Sequence, residues 1–306
     1  MAVYTYLNKK DIINITNKFN LGKLKKYSGI KDGIENTNYF IQTKKYKVIL
    51  TIFEKRVRSK DIPYFVNFML ALHKKKVKCP KPIKYKKNKY IFKIKNKSSI
   101  IVSYLNGKAK SKILKKDCIV IGKELAKLHN VSKNINLTRK NSLGYKEWLN
   151  IFRQAKCSNR KEVLNYFAIF KKNYPNNLPK CLIHGDIFPD NIFYHKNKFN
   201  GFIDFYFSFH GPYVYEIAIA INSMCFTKNV FDEAKANNLL KGYQSIRKLS
   251  NLELKSLPIL CLGAAIRFYV TRLYDYKFTP KNAKVKRKDP NEYLDKMRFF
   301  SINLLK

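Results

Sequence analysis

The spacing of apolar side chains changes along the chain, and the change divides it into an N-terminal and a C-terminal part. Residues 8–19 place Ile12, Ile15 and Phe19 on one face of a helix, with Asn8 as a suitable N-cap. The alternating pattern that follows predicts strands over residues 24–30, 37–43 and 47–53, a helix over 59–73, and strands over 85–95 and 98–104. This order is typical of a small nucleotide-binding lobe, so we place a domain boundary after residue 104.

The C-terminal part, residues 105–306, has mainly the periodicity of helices. Its first helix carries Ile121, Leu125 and Leu128 on one face. Helices are predicted over residues 116–129, 145–155, 161–173, 213–224, 232–244, 252–276 and 290–305, and two short strands over 192–194 and 202–205. The predicted fold class is therefore α+β, with a small antiparallel-sheet N-terminal lobe and a larger, mostly helical C-terminal lobe.

Composition indicates a soluble, folded protein without a membrane span. Apolar residues make up 45% of the 306 residues and aromatic residues 14%, and no uninterrupted apolar run approaches the roughly 18 residues of a spanning helix. The N-terminus, MAVYTYLNKKD, has no secretory-signal pattern. Six widely spaced cysteines predict neither a zinc site nor a disulfide framework. We therefore predict a cytoplasmic protein, and the sequence leaves its oligomeric state open.

The charge of the chain is strongly basic. Its 63 Lys and Arg exceed its 20 Asp and Glu, which gives a net charge of +43. The basic residues are mostly Lys and are spread through every segment, whereas a nucleic-acid site usually concentrates them on one element. We therefore predict no specific nucleic-acid partner, although nonspecific binding to polyanions at low salt is expected.

One stretch carries the groups that phosphoryl transfer needs. His184, Asp186 and Asn191 form H-x-D-x-x-x-x-N, and Asp204 follows in the apolar triplet IDF. A carboxylate in a loop can accept the proton of an attacking hydroxyl, while an amide and a second carboxylate can hold Mg²⁺ against the phosphates. Asp186 suits the first role, and Asn191 and Asp204 suit the second. The spacing suggests a kinase that uses ATP and Mg²⁺.

Each part of this motif also has a structural interpretation. An isolated H-x-D is more often a buried histidine beside a loop aspartate, and we assign His184 a scaffold role without proton transfer. Asp190 is interpreted as a capping or surface residue. The combination of Asn191 with an aspartate inside an apolar strand makes chance the weaker explanation.

A second candidate region lies between the first two predicted strands, in the segment GIKDGIENTN at residues 29–38. Its glycines and polar residues suit a loop that presents backbone amides to phosphates. Gly33, Asn36 and Asn38 are the candidate nucleotide-binding residues. An ordinary hairpin turn has the same composition, so both interpretations stay open here.

These segments together resemble a known family along nearly the whole chain. GIENTNY, LTIFEKR, HGDIFPDNIF, IDFYF and TRLYDY resemble the homoserine kinases of the aminoglycoside phosphotransferase and choline kinase superfamily, which has a two-lobed protein-kinase-like fold. The resemblance implies ATP-dependent phosphorylation of L-homoserine to O-phospho-L-homoserine in threonine biosynthesis, in a cleft between the lobes. By matching position it implies Asp186 as the base and Asn191 and Asp204 as Mg²⁺ ligands.

Two positions depart from the superfamily pattern. The strand residue that often brings a Lys or Arg to the ATP phosphates falls at or near Thr51, so Lys55 or Arg56 is the candidate for that charge. The helix that commonly begins with Asp after IDF has Glu216 instead, which keeps the carboxylate and lengthens its reach. Neither departure removes the set of Asp186, Asn191 and Asp204.

The substrate predicts further residues. Homoserine is a zwitterion, so its site needs a cation for the carboxylate and an anion for the ammonium. Arg267, Arg272 and Asp275 are charged groups in the core-like segment IRFYVTRLYDY, and burial of such groups is costly unless they are paired or bound. A structural Arg272 to Asp275 ion pair, with Arg267 in a separate contact, explains them equally well. Tyr206 is a further candidate for the acceptor pocket.

Two rival functions remain from the sequence. A kinase of the same superfamily acting on choline or an aminoglycoside would keep the motif, although a cationic substrate favours an acidic pocket. A basic nucleic-acid-binding protein on an inactive kinase scaffold would have no need of all three motif residues.

Overall fold

The computed structural model describes residues 4–30, 35–54, 56–278 and 288–304. The described chain divides into two compact units. The first contains the residues up to Asn106 and a later segment, Asn200–Tyr206, with which the chain returns to this unit. The second contains Gly107–Phe199 and the described residues from Phe207 onward.

The described residues of the first unit form an antiparallel sheet with two α-helices. The strands follow the order β1, β2, β3, β6, β4 across the sheet, and β5 pairs with β6. In chain order the elements are α1 (Lys9–Lys18), β1 (Leu24–Gly29), β2 (Asn36–Thr43), β3 (Lys47–Phe53), α2 (Ile62–Lys74), β4 (Pro82–Ile83), β5 (Phe92–Ile94) and β6 (Lys97–Ser103). The predicted small antiparallel sheet is therefore present.

Helix α1 begins where the sequence predicts. Asn8 accepts a hydrogen bond from the Asp11 amide at 2.9 Å, and the Asp11 carboxylate accepts one from the Asn8 amide at 3.0 Å. This capping box satisfies two amides that the helix itself cannot pair. The apolar face of α1, with Ile12 and Ile15, packs into the same core as Ile41 of β2 and Ile101 of β6.

Three predicted boundaries in the first unit are wrong. The strand predicted over residues 85–95 is only β5, because the chain turns through Asn88 at a φ of +58° beforehand. The helix predicted from Ser59 begins at Ile62 after a 3₁₀ turn, so Ser59 is not its N-cap. The strand predicted over residues 202–205 instead covers Lys198–Phe202, and Asp204 lies beyond it with a φ of +65°, outside the β region.

The second unit is mostly helical, as predicted. Its short strands form a three-stranded sheet in the order β10, β9, β7 and two pairs, β8 with β11 and β12 with β13. From Asn200 of β10 the chain returns to the first unit. In chain order the elements are β7 (Lys108–Ala109), α3 (Lys115–Ser132), α4 (Tyr145–Gln154), α5 (Arg160–Asn173), β8 (Lys180–Ile183), β9 (Ile192–His195), β10 (Lys198–Phe202), β11 (Phe209–Pro212), α6 (Tyr213–Met224), β12 (Phe226–Thr227), β13 (Val230–Phe231), α7 (Glu233–Gln244), α8 (Asn251–Phe278) and α9 (Asn291–Asn303).

Helix α8 is the centre of the second unit. It packs against α4, α5, α6 and α9, and its residues from Ile259 to Val270 are all buried. Among the described residues it is also the one helix whose length and apolar composition would allow it to cross a membrane. Because 83% of that apolar window is buried within the fold, α8 has the surroundings of a core helix.

Helices α3 and α7 approach each other closely at two glycines. A Cβ atom on Gly122 would lie 2.1 Å from the Leu239 carbonyl oxygen, and one on Gly242 would lie 2.1 Å from the Ile119 carbonyl oxygen. Both neighbours are helix backbone, which cannot move aside alone. The glycines therefore set the distance between the two helices.

Replacement of Gly122 by alanine is expected to lower the free energy of unfolding by about 3 kcal/mol, because the added methyl group forces the helices apart. Urea denaturation followed by circular dichroism measures this loss. Gly144→Ala is the matched control, since its Cβ would have 3.6 Å to the nearest atom. Equal unfolding midpoints for Gly122→Ala and the wild type would contradict the packing argument.

Candidate active site

The loop after β8 carries Asp186 on a tight turn. β8 pairs antiparallel with β11, and the chain then turns through Gly185 at a φ of +78°. A Cβ atom at Gly185 would lie 2.6 Å from the carbonyl oxygen of Phe207. Both the backbone angle and the lack of space therefore require glycine immediately before Asp186.

Asn191 holds the carboxylate of Asp186. Its Nδ2 donates to the Asp186 carbonyl oxygen at 2.9 Å and to Asp186 Oδ2 at 3.2 Å. The side chain of Asp186 keeps 20% of its surface exposed. The motif spacing thus brings Asp186 and Asn191 into direct contact within the second unit.

The charges around Asp186 act on its pKa in opposite directions. Burial raises the pKa of this carboxyl group, and the neighbouring Arg267 and His184 act to lower it. Arg267 Nη2 lies 3.9 Å from Asp186 Oδ1. Further away, Asp190 pairs with Lys288 at 3.2 Å, which agrees with its interpretation as a surface residue.

Glu216, near the start of α6, fixes the backbone of the same loop. Its Oε2 accepts a hydrogen bond from the His184 amide at 2.7 Å, and its Oε1 accepts one from the Gly185 amide at 2.6 Å. Glu216 is completely buried, which opposes its ionisation, but the contact with His129 and the His184 amide outweigh burial and lower its pKa. The longer side chain at this position thus reaches two consecutive amides.

Behind Glu216 lies a buried chain of polar groups that the sequence analysis missed. His129 Nε2 is 3.3 Å from Glu216 Oε2, and His129 Nδ1 is 2.8 Å from the Tyr243 hydroxyl. Since His129 is fully buried, its ring can only serve partners within the protein. One signal was available in the sequence, because His129 ends an otherwise apolar helix face.

Arg267, Arg272 and Asp275 all lie on α8. Arg267 is 2% exposed and donates to the Gly185 carbonyl oxygen at 2.6 Å. Arg272 donates to Glu292 at 2.6 Å, and Asp275 is half-buried nearer the end of the helix. Their binding of substrate stays a prediction.

Three of the predicted ligand-binding residues that the structure describes lie in the first unit. Asn36 and Asn38 are at the start of β2, and Asn38 Oδ1 accepts a hydrogen bond from the Thr51 hydroxyl at 2.8 Å. The Tyr206 hydroxyl donates to the same Thr51 oxygen at 3.3 Å. Thr51 thus joins two candidate residues.

Of the two residues predicted to supply a cation near Thr51, Arg56 lies in the described part of the chain. Arg56 forms an ion pair with Glu35. Gly33 and Lys55 lie outside the described residues.

The residues predicted to hold Mg²⁺ offer suitable atoms. Asn191 donates through Nδ2 to Asp186, so its Oδ1 is the atom that can bind a cation, and Asp204 has a carboxylate. Both are oxygen donors of the type that Mg²⁺ prefers. Within the described ranges no group of three His, Cys, Asp or Glu forms a protein-only metal cage. Mg²⁺ commonly takes one or two protein ligands and completes its shell with phosphates and water.

This fold and this loop define a phosphotransferase. Residues 26–249 match the model of the phosphotransferase enzyme family. The chain belongs to this family, which confirms the predicted enzyme class.

Curated relatives narrow the comparison to homoserine kinases. The chain is 36% identical to the homoserine kinase of Rhizobium meliloti (strain 1021) over 98% of its own length and 94% of that protein. The identity to the homoserine kinase of Agrobacterium fabrum (strain C58) is also 36%, over 98% and 95%. The resemblance inferred from the sequence is therefore confirmed.

Solved structures share the fold at low sequence identity. An amicoumacin kinase superposes with a TM-score of 0.76 at 16% identity, covering 96% of this chain and 92% of that chain. A choline kinase from Streptococcus pneumoniae superposes with a TM-score of 0.70 at 16% identity, covering 97% and 99%. These likenesses confirm the predicted fold class.

Proposed function

We propose that this protein transfers the γ-phosphoryl group of ATP to the hydroxyl group of L-homoserine, giving ADP and O-phospho-L-homoserine in threonine biosynthesis. The full-length similarity to homoserine kinases is the observation that carries the proposal. The contact between Asp186 and Asn191 supports it, because a kinase reaction uses a carboxylate and an amide of one loop together. The reaction takes place in the cytoplasm.

Asp186 acts as the base in this proposal. Its carboxylate accepts the proton of the substrate hydroxyl, while Asn191 and the turn at Gly185 keep the carboxylate in one orientation. Transfer is direct and in line, without a covalent intermediate on the protein. Proton acceptance and orientation are thus the tasks of one loop.

The nucleotide is assigned to residues of the first unit. Gly33, Asn36, Asn38 and Lys55 contact ATP in this proposal, with Lys55 supplying the charge that Thr51 lacks. Asn191 and Asp204 hold Mg²⁺, which neutralises charge on the phosphates when it is bound. Arg272 and Asp275 are the proposed partners of the substrate's carboxylate and ammonium groups, and Tyr206 shapes the acceptor pocket.

The proposal is tested by steady-state release of ADP with ATP and Mg²⁺ and a panel of acceptors: L-homoserine, L-serine, L-threonine, choline and an aminoglycoside. We expect turnover with L-homoserine at least 100-fold above that with each other acceptor, and no turnover when EDTA removes the metal. Preferred turnover of choline or the aminoglycoside would contradict the assigned substrate. No turnover of any acceptor would contradict kinase activity itself.

A further inference from the structure

The peptide groups on either side of Gly185 are both held by charged side chains. The Gly185 amide donates to Glu216 of α6 at 2.6 Å, and the Gly185 carbonyl oxygen accepts from Arg267 of α8 at 2.6 Å. Charge-assisted hydrogen bonds of this kind are short and roughly twice as strong as neutral ones. Side chains from helices α6 and α8 therefore both hydrogen-bond Gly185, the residue directly before Asp186.

Arg267 is buried beside two aromatic rings. Its guanidinium carbon lies 4.7 Å from the centre of the Phe268 ring and 5.9 Å from that of Phe207, and the residue is 2% exposed. A buried arginine is stable only with partners inside the protein. The hydrogen bond to the Gly185 carbonyl oxygen, at 2.6 Å, is much shorter than the 3.9 Å from the guanidinium group to the Asp186 carboxylate, so the cation is directed at the loop backbone.

The distance from Arg267 to Asp186 shows whether the guanidinium group bonds the Asp186 carboxylate or the loop backbone. Arg267 Nη2 and Asp186 Oδ1 are 3.9 Å apart, which is too long for a hydrogen bond. Arg267 therefore donates its hydrogen bond to the Gly185 carbonyl oxygen, whereas the Asp186 carboxylate accepts one from Asn191. The orientation of the peptide between Gly185 and Asp186 depends on that bond.

We infer that Arg267 is a positioning residue, which fixes the peptide between Gly185 and Asp186 and is not the ligand of the substrate's carboxylate. The kinetic part of its test rests on the proposed function, whereas the exchange part does not. We expect loss of the guanidinium group to free the loop, while the pairing of strands β8 and β11 is kept. A displacement of about 1 Å at a reacting group is enough to slow catalysis by roughly 100-fold.

Hydrogen exchange tests the inference without any substrate. In Arg267→Met we expect the amides of residues 184–187 to exchange at least tenfold faster than in the wild type, measured by mass spectrometry on peptides that cover the loop. Arg267→Lys keeps one donor and is expected to exchange at an intermediate rate. Arg272→Met removes another arginine from the same helix and should leave loop exchange unchanged. Unchanged protection in Arg267→Met and Arg267→Lys would overturn the inference.

Kinetics with L-homoserine distinguish positioning from substrate binding. A positioning residue predicts that Arg267→Met lowers kcat about 100-fold and changes KM less than threefold, with partial recovery in Arg267→Lys. A rise in KM with kcat retained would instead assign Arg267 to the substrate's carboxylate and overturn the inference. If the wild type did not turn over L-homoserine, the proposed function would fail, and the exchange result alone would decide the role of Arg267.

Discussion

Replacement of Asp186 by alanine is expected to lower kcat for L-homoserine about 1,000-fold, within the range measured for loss of a general base. The carboxylate is the group that accepts the hydroxyl proton in the proposed reaction, and it is held for that task by Asn191. ADP release measures kcat, and equilibrium titration with a fluorescent ATP analogue measures nucleotide affinity. Affinity should change less than threefold.

Asp190→Ala is the matched control for this variant. It removes a carboxylate from the same loop, but one that is paired with Lys288 at the surface and 62% exposed. We expect kcat to stay within threefold of the wild type. Turnover by Asp186→Ala at near the wild-type rate would show that another group accepts the proton.

Replacement of Glu216 by glutamine is expected to lower both stability and activity. Glutamine is nearly isosteric, but its amide nitrogen is a donor and would face either the His184 or the Gly185 amide, which are donors as well. Removal of one partner from a buried charged network costs about 3–5 kcal/mol. Urea denaturation measures the stability, and we expect kcat to fall roughly 100-fold because the loop is displaced.

Glu216→Asp provides the comparison for this prediction. Aspartate keeps the charge that His129 contacts but is shorter by one methylene group, so it cannot reach both amides from the same backbone position. We expect stability between those of the wild type and Glu216→Gln. A wild-type unfolding curve and kcat for Glu216→Gln would refute the role of this carboxylate in fixing the loop.

Local patterns were sufficient to predict most of the elements. Helix α6 and strand β3 have the predicted bounds, and the Asn8 cap is present with its partner Asp11. These features depend on neighbours within a few residues, which periodicity and capping preferences describe well. The same holds for the contact between Asp186 and Asn191, because both belong to one loop.

Contacts between distant segments could not be predicted in this way. Arg267 and Gly185 are 82 positions apart, and His129 and Glu216 are 87 apart. Their polar character in apolar segments indicated that each needs a partner, but not which partner. The positive φ of Asp204 could not be predicted either, because its neighbours Ile203 and Phe205 are residue types that are common in strands.

The return of the chain to the first unit has a consequence for synthesis on the ribosome. Phe202 donates its amide to the Lys78 carbonyl oxygen at 3.2 Å, the Phe205 ring packs against Phe68, and Tyr206 bonds Thr51. A nascent chain that has emerged only as far as Asn106 lacks all three contacts. The first unit therefore cannot complete its packing until residue 206 has left the exit tunnel, by which time Gly107–Phe199 of the second unit have also emerged.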